Sequence, residues 1–229
     1  MNVEVTTAAI ILAAGLSSRM GGLKKEYQSL GTSTVLATAV SAFASVPSVK
    51  TIVIAVSPNA EDSARNALPA EYLCAEKPKI LFVDGGSTRR ASVLNALSLL
   101  AGTNNQYVLI HDGARPWVSS SLVKNIIEAV KKHNAVIPLI SITDTPKLVS
   151  ESKERVVFIE RHLRRPNVGL AQTPQAFKFP EILYAHEKAA KVNEEFTDDA
   201  EIWGRFCGPV AAIAGEPENR KITFPEDLA

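Results

Sequence analysis

Near its start the chain reads Thr7-Ala8-Ala9-Ile10-Ile11-Leu12-Ala13-Ala14-Gly15-Leu16-Ser17-Ser18-Arg19-Met20, and Lys24-Lys25-Glu26-Tyr27 follows closely. The apolar part predicts a buried strand, which ends in small residues that let the backbone approach a ligand. In an α/β protein, ligands bind at the carboxyl ends of the strands. A loop there with backbone N–H groups, Arg19 and two lysines suits a polyphosphate. The stretch therefore predicts a nucleoside triphosphate site.

The same loop differs from the two better-known phosphate-binding motifs. It lacks the Gly-Lys-Ser/Thr ending of a P-loop, and its glycines do not fit Gly-x-Gly-x-x-Gly. An ordinary ATPase or a dinucleotide-binding protein is therefore disfavoured. The motif alone leaves one structural alternative open, a tight turn between a strand and a loop that binds nothing.

Composition excludes several classes of protein. The chain has 229 residues, of which 46% are apolar and 21% charged, as expected for one globular domain. A net charge of +1 argues against a nucleic-acid partner. No apolar run approaches the roughly 18 residues of a membrane-spanning helix, and the first residues do not resemble a signal peptide. We expect a cytoplasmic protein with no membrane partner and with two incidental thiols, Cys74 and Cys207.

Apolar runs of strand length alternate with helical patterns along most of the chain. Strands are expected at Ala8–Leu12, Thr51–Val56, Lys79–Val83, Tyr107–Ile110 and Ala135–Leu139, with helices at Ser33–Val46, Ala60–Leu68, Ala91–Leu100 and Ser121–Lys132. Later segments add helices near Pro180–Val192 and Asp198–Phe206 and short strands at Pro209–Ala214 and Arg220–Phe224. The alternation predicts an α/β fold with a Rossmann-like, doubly wound, mostly parallel sheet and helices on both faces.

The alternation stops after Ser141. Thr143–Val149 and Arg155–Ile159 are short β-like segments, and Arg161-His162-Leu163-Arg164-Arg165 is strongly basic. We expect a projecting β-arm over about residues 142–171, inside a single domain that spans residues 1–229.

Polar residues follow several of the predicted strands. Asp112 suits Mg²⁺ beside nucleotide phosphates, because Mg²⁺ prefers hard oxygen ligands, but an ion pair with Arg115 would explain the same residues. Gly86 permits close approach to a base or sugar, or else forms a simple glycine turn. In the arm, Thr145 and Arg165 could bind a phosphomonoester. A solvated basic hairpin would explain the same residues equally well.

Three further residues have structural alternatives beside the functional ones. His111 is expected to be a structural histidine. Thr197 is expected to cap a helix that begins with acidic residues. Lys221, beside a late strand, could neutralise phosphates or simply be a surface charge.

The order of these motifs resembles that of one family. The motifs are Ala13-Ala14-Gly15-x-x-x-Arg19-Met20, Lys25, Gly85-Gly86-x-x-Arg89-x-x-Ser92-Val93, His111-Asp112-x-Ala114-Arg115-Pro116, Asp144-Thr145-x-Lys147, Gln172-Thr173-Pro174-Gln175-x-Phe177, Thr197-Asp198-Asp199 and Lys221-Ile222-Thr223. From about Ala8 to Leu228 the chain resembles the 2-C-methyl-D-erythritol 4-phosphate cytidylyltransferases. The resemblance implies CTP, Mg²⁺, a sugar-alcohol phosphate acceptor and release of pyrophosphate.

The resemblance also implies roles for individual residues. Catalytic residues would be Arg19, Lys25 and Lys221, which stabilise the triphosphate, and Asp112 would hold the metal. The nucleotide would contact Ala13, Ala14, Gly15, Gly86, Ser87, Arg89 and Ser92. The acceptor would contact Thr145, Arg165 and Asp198. In this family the arm crosses to a partner subunit, so the resemblance implies a homodimer.

The chain departs from the family pattern at Ser17, where a second glycine is usual, and at Gly113, where alanine is usual. Lys24 and Glu26 replace the proline and glutamine that flank the family's lysine. Three alternative functions stay open: a ribitol 5-phosphate cytidylyltransferase, a nucleotidyltransferase for UTP or GTP, and a non-catalytic nucleotide-binding module.

Overall fold

The computed structural model describes residues 5–17, 20–74, 78–151 and 156–228; Arg19 and Arg155 lie outside these ranges. The strands are β1 (Thr7–Ala13), β2 (Ser29–Leu30), β3 (Ser33–Thr34), β4 (Val49–Val56), β5 (Lys79–Asp84), β6 (Tyr107–Asp112), β7 (Ala135–Ser141), β8 (Lys147–Val149), β9 (Ile159–His162), β10 (Gly169–Ala171), β11 (Gln175–Lys178) and β12 (Ala211–Ala214). The helices are α1 (Val35–Ala44), α2 (Glu61–Asn66), α3 (Ala70–Cys74), α4 (Arg89–Leu99), α5 (Ser120–His133), α6 (Phe179–Ala189) and α7 (Asp199–Phe206).

The predicted doubly wound sheet is confirmed. Parallel pairing joins β5 to β4, β4 to β1, and β1 to β6. Along the chain, β4 and β5 are thus added on one side of β1, and β6 is then added on its other side. Such a reversal of strand order leaves a crevice at the carboxyl ends of the strands. The register aligns these ends, since Leu12 pairs with Asp112 and Ala13 with Val56.

Two strands of the main sheet, β11 and β10, were not predicted. β11 lies between β6 and β7 and runs antiparallel to both. Its residues Gln175, Ala176 and Phe177 are buried, so the strand is an internal part of the core. β7 also pairs with β12, parallel, over Val136–Leu139, and with β10, antiparallel, over Leu139–Ser141. The strand β10 thus belongs to the main sheet, although its residues fall in the range expected for the arm.

Two apolar layers cover the sheet, one on each face. Ala9, Ile11 and Ala13 of β1 face the layer that contains α1 and α5, whereas Ala8 and Ile10 face the layer that contains α4, α6 and α7. This alternation follows the two-residue repeat of a strand. The near-continuous apolar sequence of β1 is explained by burial on both faces.

Helix ends follow local chemistry. The Ser119 hydroxyl accepts a 2.9 Å hydrogen bond from the Leu122 amide and caps α5. That helix ends at Asn134, whose φ of 62° is a left-handed conformation that asparagine tolerates.

Among the described residues, no helix combines the length and apolar character needed to cross a bilayer. Cys74 and Cys207 are free thiols at the surface.

Three local predictions were wrong. No strand forms at residues 220–224, because Ile222 makes a single backbone bond to Ala114 and the Thr223 and Phe224 amides donate to the Asp227 carboxylate instead. The N-cap of α7 is Asp198, which accepts a bond from the Glu201 amide, rather than Thr197.

The third error concerns the start of the helix expected at Ala91–Leu100. The helix α4 begins earlier, at Arg89, after Thr88, whose side chain accepts a hydrogen bond from the Ala91 amide.

Residues 142–171 contain a small antiparallel sheet of β8 and β9, apart from the main sheet. Several apolar side chains of this segment are exposed, among them Val156 (67%) and Phe158 (77%). Solvent-exposed apolar residues in such number mark a surface suited to a protein contact.

Candidate active site

A cleft of about 520 Å³ opens at the carboxyl ends of β1, β4, β5 and β6. The loops that follow these strands supply its walls, and the segment at Lys221–Thr223 closes one side. Residues that line it include Ala14, Gly15, Leu16, Ser17, Lys25, Glu26, Ser57, Gly86, Ser87, Arg89, Ser92, Asp112, Lys221 and Thr223. The structure therefore brings most of the sequence-predicted nucleotide and catalytic residues to one place. Among the predicted residues that the structure describes, Ala13 does not line the cleft, because it is fully buried in β1.

The glycines of the loop after β5 serve close packing within the protein. A Cβ at Gly85 would lie 2.3 Å from the Ala14 Cβ, and a Cβ at Gly86 would lie 2.4 Å from the Ala91 Cβ. The Gly86 amide donates a 3.1 Å hydrogen bond to the Ser92 hydroxyl, which itself donates to the Thr88 carbonyl. Ser92 thus holds this loop against the start of α4, and the loop lies directly beside the loop after β1.

The loop after β1 is held by Lys24, one of the residues that depart from the family pattern. Its ammonium donates 2.5 Å hydrogen bonds to the Gly15 carbonyl and to the Ser57 hydroxyl. The Ser57 hydroxyl in turn donates to the Ala14 carbonyl at 3.2 Å. Burial lowers the pKa of Lys24. The lysine therefore links the ends of β1 and β4 at the rim of the cleft.

Two further lysines converge on the other side of the cleft. Lys25 donates a 2.9 Å hydrogen bond to the Ile222 carbonyl, and Lys221 donates a 2.8 Å bond to Asp112 Oδ2. Ile222 is fully buried and its amide bonds to the Ala114 carbonyl, which anchors the segment. Lys25 and Lys221 are thus held next to each other although they are far apart in sequence. Two adjacent cations provide a site for a polyphosphate.

Asp112 lies among three cationic side chains. Lys221 is at 2.8 Å, Arg89 Nε at 3.6 Å and Arg115 Nε at 3.7 Å. Burial by itself would raise the pKa of Asp112, but the charges of Lys221 and Arg89 dominate and hold that pKa well below its ordinary value. The carboxylate is therefore ionised at neutral pH. The ion pair with Arg115, one of the two sequence-based alternatives, is present.

The donor set fits Mg²⁺ in one specific way. Asp112 provides hard oxygens at the cleft that are ionised at neutral pH, which suits Mg²⁺. Within the described part of the chain, no group of three His, Cys, Asp or Glu side chains could hold a metal by itself. Mg²⁺ commonly binds through one or two carboxylates together with waters and substrate phosphates. The residues present therefore suit a metal that arrives with a nucleotide.

His111 has the structural role that the sequence predicted. It is fully buried, and its ring nitrogens lie 3.0 Å from the Arg115 carbonyl and 3.0 Å from the Thr173 hydroxyl. Burial lowers its pKa to about 4, so the ring is neutral at pH 7. Because both nitrogens are engaged, His111 orients the loop around Asp112 and does not act as a proton acceptor for a substrate.

A second cleft of about 320 Å³ adjoins the first. Arg89, Asp112 and Lys221 line both clefts. The second cleft is also lined by Gln175 and by Asp198, which accepts a 2.8 Å hydrogen bond from the Gln175 amide group. The predicted acceptor residue Asp198 thus lies next to the predicted metal ligand.

Two further predicted site residues line neither cleft. Thr145 and Arg165 are exposed in the arm, where Arg165 donates a 2.8 Å hydrogen bond to the Thr143 carbonyl. Arg19 lies outside the described residues, so its role stays a prediction.

Sequence reasoning gave no site role to several residues that line the main cleft, among them Ser57, Thr88, Glu26 and Thr223. A signal for Ser57 was available, since it directly follows a predicted parallel strand. Glu26 was noticed as a departure from the family, but its burial was not foreseen. Only 3% of this residue is exposed, and burial raises its pKa.

Comparisons with known proteins agree with this geometry. The model of the family described as "IspD: 2-C-methyl-D-erythritol 4-phosphate cytidylyltransferase" matches residues 7–229. A curated protein of Bradyrhizobium sp. (strain BTAi1) named "Bifunctional enzyme IspD/IspF" is 41% identical over 232 residues, which cover 100% of this chain and 56% of that protein. A protein of the same name from Bartonella tribocorum is 38% identical over 99% of this chain and 55% of its own length. The chain thus spans about half the length of the curated relatives it matches.

Solved structures match over nearly the whole of both chains. The 4-diphosphocytidyl-2C-methyl-D-erythritol synthase of Anaerococcus prevotii has a TM-score of 0.84 and 30% identity, covering 98% of this chain and 93% of that one. The 2-C-methyl-D-erythritol 4-phosphate cytidylyltransferase of Thermus thermophilus has a TM-score of 0.74 and 32% identity, covering 99% and 96%. With the family model matching nearly every residue, the chain belongs to the IspD family of 2-C-methyl-D-erythritol 4-phosphate cytidylyltransferases.

Proposed function

We propose that this protein transfers the cytidylyl group of CTP to 2-C-methyl-D-erythritol 4-phosphate and releases pyrophosphate. The observation that carries the proposal is the pair of lysines at the switch point of the sheet: Lys25 is bonded to the Ile222 carbonyl, and the neighbouring Lys221 to Asp112. A protein that only binds a nucleotide does not need two cations that converge on its phosphates. Membership in the family supports the choice of base and acceptor.

The reaction needs no nucleophilic side chain. An oxygen of the acceptor phosphate attacks the α-phosphorus of CTP, and the bond from that phosphorus to the bridging oxygen of the β-phosphate breaks. Pyrophosphate leaves with the electron pair. The protein's task is to align two anions and to offset their repulsion. Lys25 and Lys221 supply positive charge for this purpose, and we assign Arg19 the same role from the sequence.

Mg²⁺ belongs to the proposal, with Asp112 as its protein ligand. When bound, it would neutralise charge on the triphosphate and so favour departure of pyrophosphate. Lys221 donates a 2.8 Å hydrogen bond to one oxygen of Asp112. Phosphates that enter the cleft offer Lys221 an alternative anion, which would release that oxygen for the metal.

The second cleft is proposed as the acceptor site. It adjoins the main cleft through Arg89, Asp112 and Lys221, so an acceptor bound there would lie beside the nucleotide. Its own lining includes Asp198, whose carboxylate suits a sugar hydroxyl. The phosphate of the acceptor requires further cations, and Arg165 with Thr145 would provide them from the arm of a second subunit.

The homodimer is therefore part of the proposed mechanism. In one chain Arg165 and Thr145 are exposed and line neither cleft. Exposed Phe158 and its apolar neighbours would be covered when two arms cross. We assign the enzyme to the cytoplasm, where CTP is available and where free surface thiols such as Cys74 persist.

The test is pyrophosphate release from CTP and Mg²⁺ with 2-C-methyl-D-erythritol 4-phosphate. Parallel reactions contain ribitol 5-phosphate as acceptor, or UTP, GTP or ATP as nucleotide. Turnover with the first combination alone is the expected result. Activity with ribitol 5-phosphate instead would replace the acceptor but keep the mechanism. Nucleotide binding without turnover on any acceptor would show a binding module.

A further inference from the structure

Two ionisable side chains that the proposed mechanism does not use are completely buried beside the cleft. Asp199 is the first residue of α7, and His186 lies on α6; both have 0% exposure. Their closest polar atoms, Asp199 Oδ1 and His186 Nε2, are 3.2 Å apart. A buried carboxylate is costly unless it is paired, so its presence calls for a physical reason.

The other oxygen of Asp199 pairs with Arg89. Arg89 Nη2 donates a 2.7 Å hydrogen bond to Asp199 Oδ2, across a separation of 110 residues. Burial by itself would raise the pKa of Asp199, but Arg89 and His186 lower it to about 2. Asp199 is therefore a carboxylate at neutral pH, and Arg89 is held in place as its partner.

Arg89 is shared unequally between two carboxylates. It is 2.7 Å from Asp199 but 3.6 Å from Asp112, and it lines both clefts. Without the negative charge of Asp199, the nearest remaining anion for Arg89 is Asp112. The guanidinium would then move toward Asp112, away from the place where it borders the nucleotide and the acceptor.

We infer that Asp199 is a positioning residue that holds Arg89 at the junction of the two clefts in the geometry that binds the nucleotide. It acts only through Arg89, because it is fully buried and lines neither cleft. The inference rests on the proposed function for the identity of the nucleotide. It assigns the second aspartate of the Thr-Asp-Asp motif a role in nucleotide affinity, in addition to its place at the start of α7.

The experiment measures the Kd of CTP with Mg²⁺ by calorimetry, well below the melting temperature of each variant. Asp199→Asn keeps the size of the side chain and removes its charge. We expect binding to weaken about 10-fold, as for the loss of one hydrogen bond between charged groups. The matched control is Glu187→Gln, which removes a negative charge from an exposed position of α6 and should bind CTP like the wild type.

A double-mutant cycle separates positioning from a merely structural role. Arg89→Ala weakens binding, and adding Asp199→Asn to Arg89→Ala should cause no further loss. Wild-type affinity in a folded Asp199→Asn protein would overturn the inference. The inference would also be overturned if Asp199→Asn weakened CTP binding equally in the wild type and in Arg89→Ala, because Asp199 would then act by another route.

If Asp199→Asn does not fold, Arg89→Lys provides the same test. An ammonium keeps the charge that Asp199 needs, but it lacks the planar fork that allows Arg89 to face two carboxylates. We expect a similar loss of affinity, and wild-type binding by Arg89→Lys would contradict the inference. The activity of the wild type distinguishes a failure of the proposed function from a failure of this inference. If the wild type turns over a nucleotide other than CTP, the Kd of each variant relative to the wild type is measured with that nucleotide.

Discussion

Replacing Lys25 with alanine should separate catalysis from stability. In the folded protein the Lys25 ammonium makes a 2.9 Å hydrogen bond to the Ile222 carbonyl in a partly buried setting. A hydrogen bond from a charged donor contributes about 1.5–3 kcal/mol to the free energy of unfolding. For a protein of this size, that loss lowers the melting temperature by roughly 3–12 degrees. The fold of Lys25→Ala should therefore persist.

The expected loss of activity is much larger. If Lys25 stabilises charge on the phosphates during attack, its removal should lower kcat by about 10²–10³, or about 2.7–4 kcal/mol of transition-state stabilisation. The assay is steady-state pyrophosphate release with CTP, Mg²⁺ and 2-C-methyl-D-erythritol 4-phosphate, run beside thermal unfolding of the same preparation. Lys124→Ala, at an exposed position of α5, is the control and should behave like the wild type.

Two results would refute this reasoning. A folded Lys25→Ala enzyme with nearly normal kcat would show that the lysine does not stabilise the transition state. A large loss of stability, with activity falling only in proportion to the folded fraction, would show that its bond to Ile222 is its main role.

Three further predictions test the cleft, its charges and the arm. Gly85→Ala should lower the free energy of unfolding by about 1–3 kcal/mol through overpacking against Ala14. Gly204→Ala is the control and should not, because an added Cβ there meets nothing within 4 Å; equal melting temperatures of the two variants would contradict this. At pH 7 the free energy of unfolding of Asp112→Asn should be about 1.5–3 kcal/mol lower than that of the wild type. The folded protein lowers the pKa of Asp112, so the wild type loses this advantage as pH falls from about 5 toward 2. The two unfolding free energies should therefore converge in acid, and a constant difference between them would exclude the argument. Phe158→Asp should convert a dimer to a monomer in sedimentation experiments and abolish turnover, and an active monomer would disprove the role of the arm.

Much of the fold could be predicted because its signals are local. The apolar run at β1 is continuous since both of its faces are buried, and α5 is bounded by a serine cap and an asparagine with positive φ. β11 could not be predicted in the same way. Its four residues, Gln175–Lys178, carry too short a pattern, and only its pairing with β6 and β7 makes it part of the sheet.

The class of the fold and the family follow from the sequence alone, because the repeat of strands and helices and the order of the motifs can be seen along the chain. Which charges meet depends on how the chain folds. Lys221 reaches Asp112 across 109 residues, and Arg89 reaches Asp199 across 110. Whether a charge is solvated, paired or buried depends on what the folded chain places around it, and that environment sets both its pKa and its role. From the sequence, Lys221 could neutralise phosphates or be a surface charge; in the folded chain it is a partner of Asp112 in the cleft.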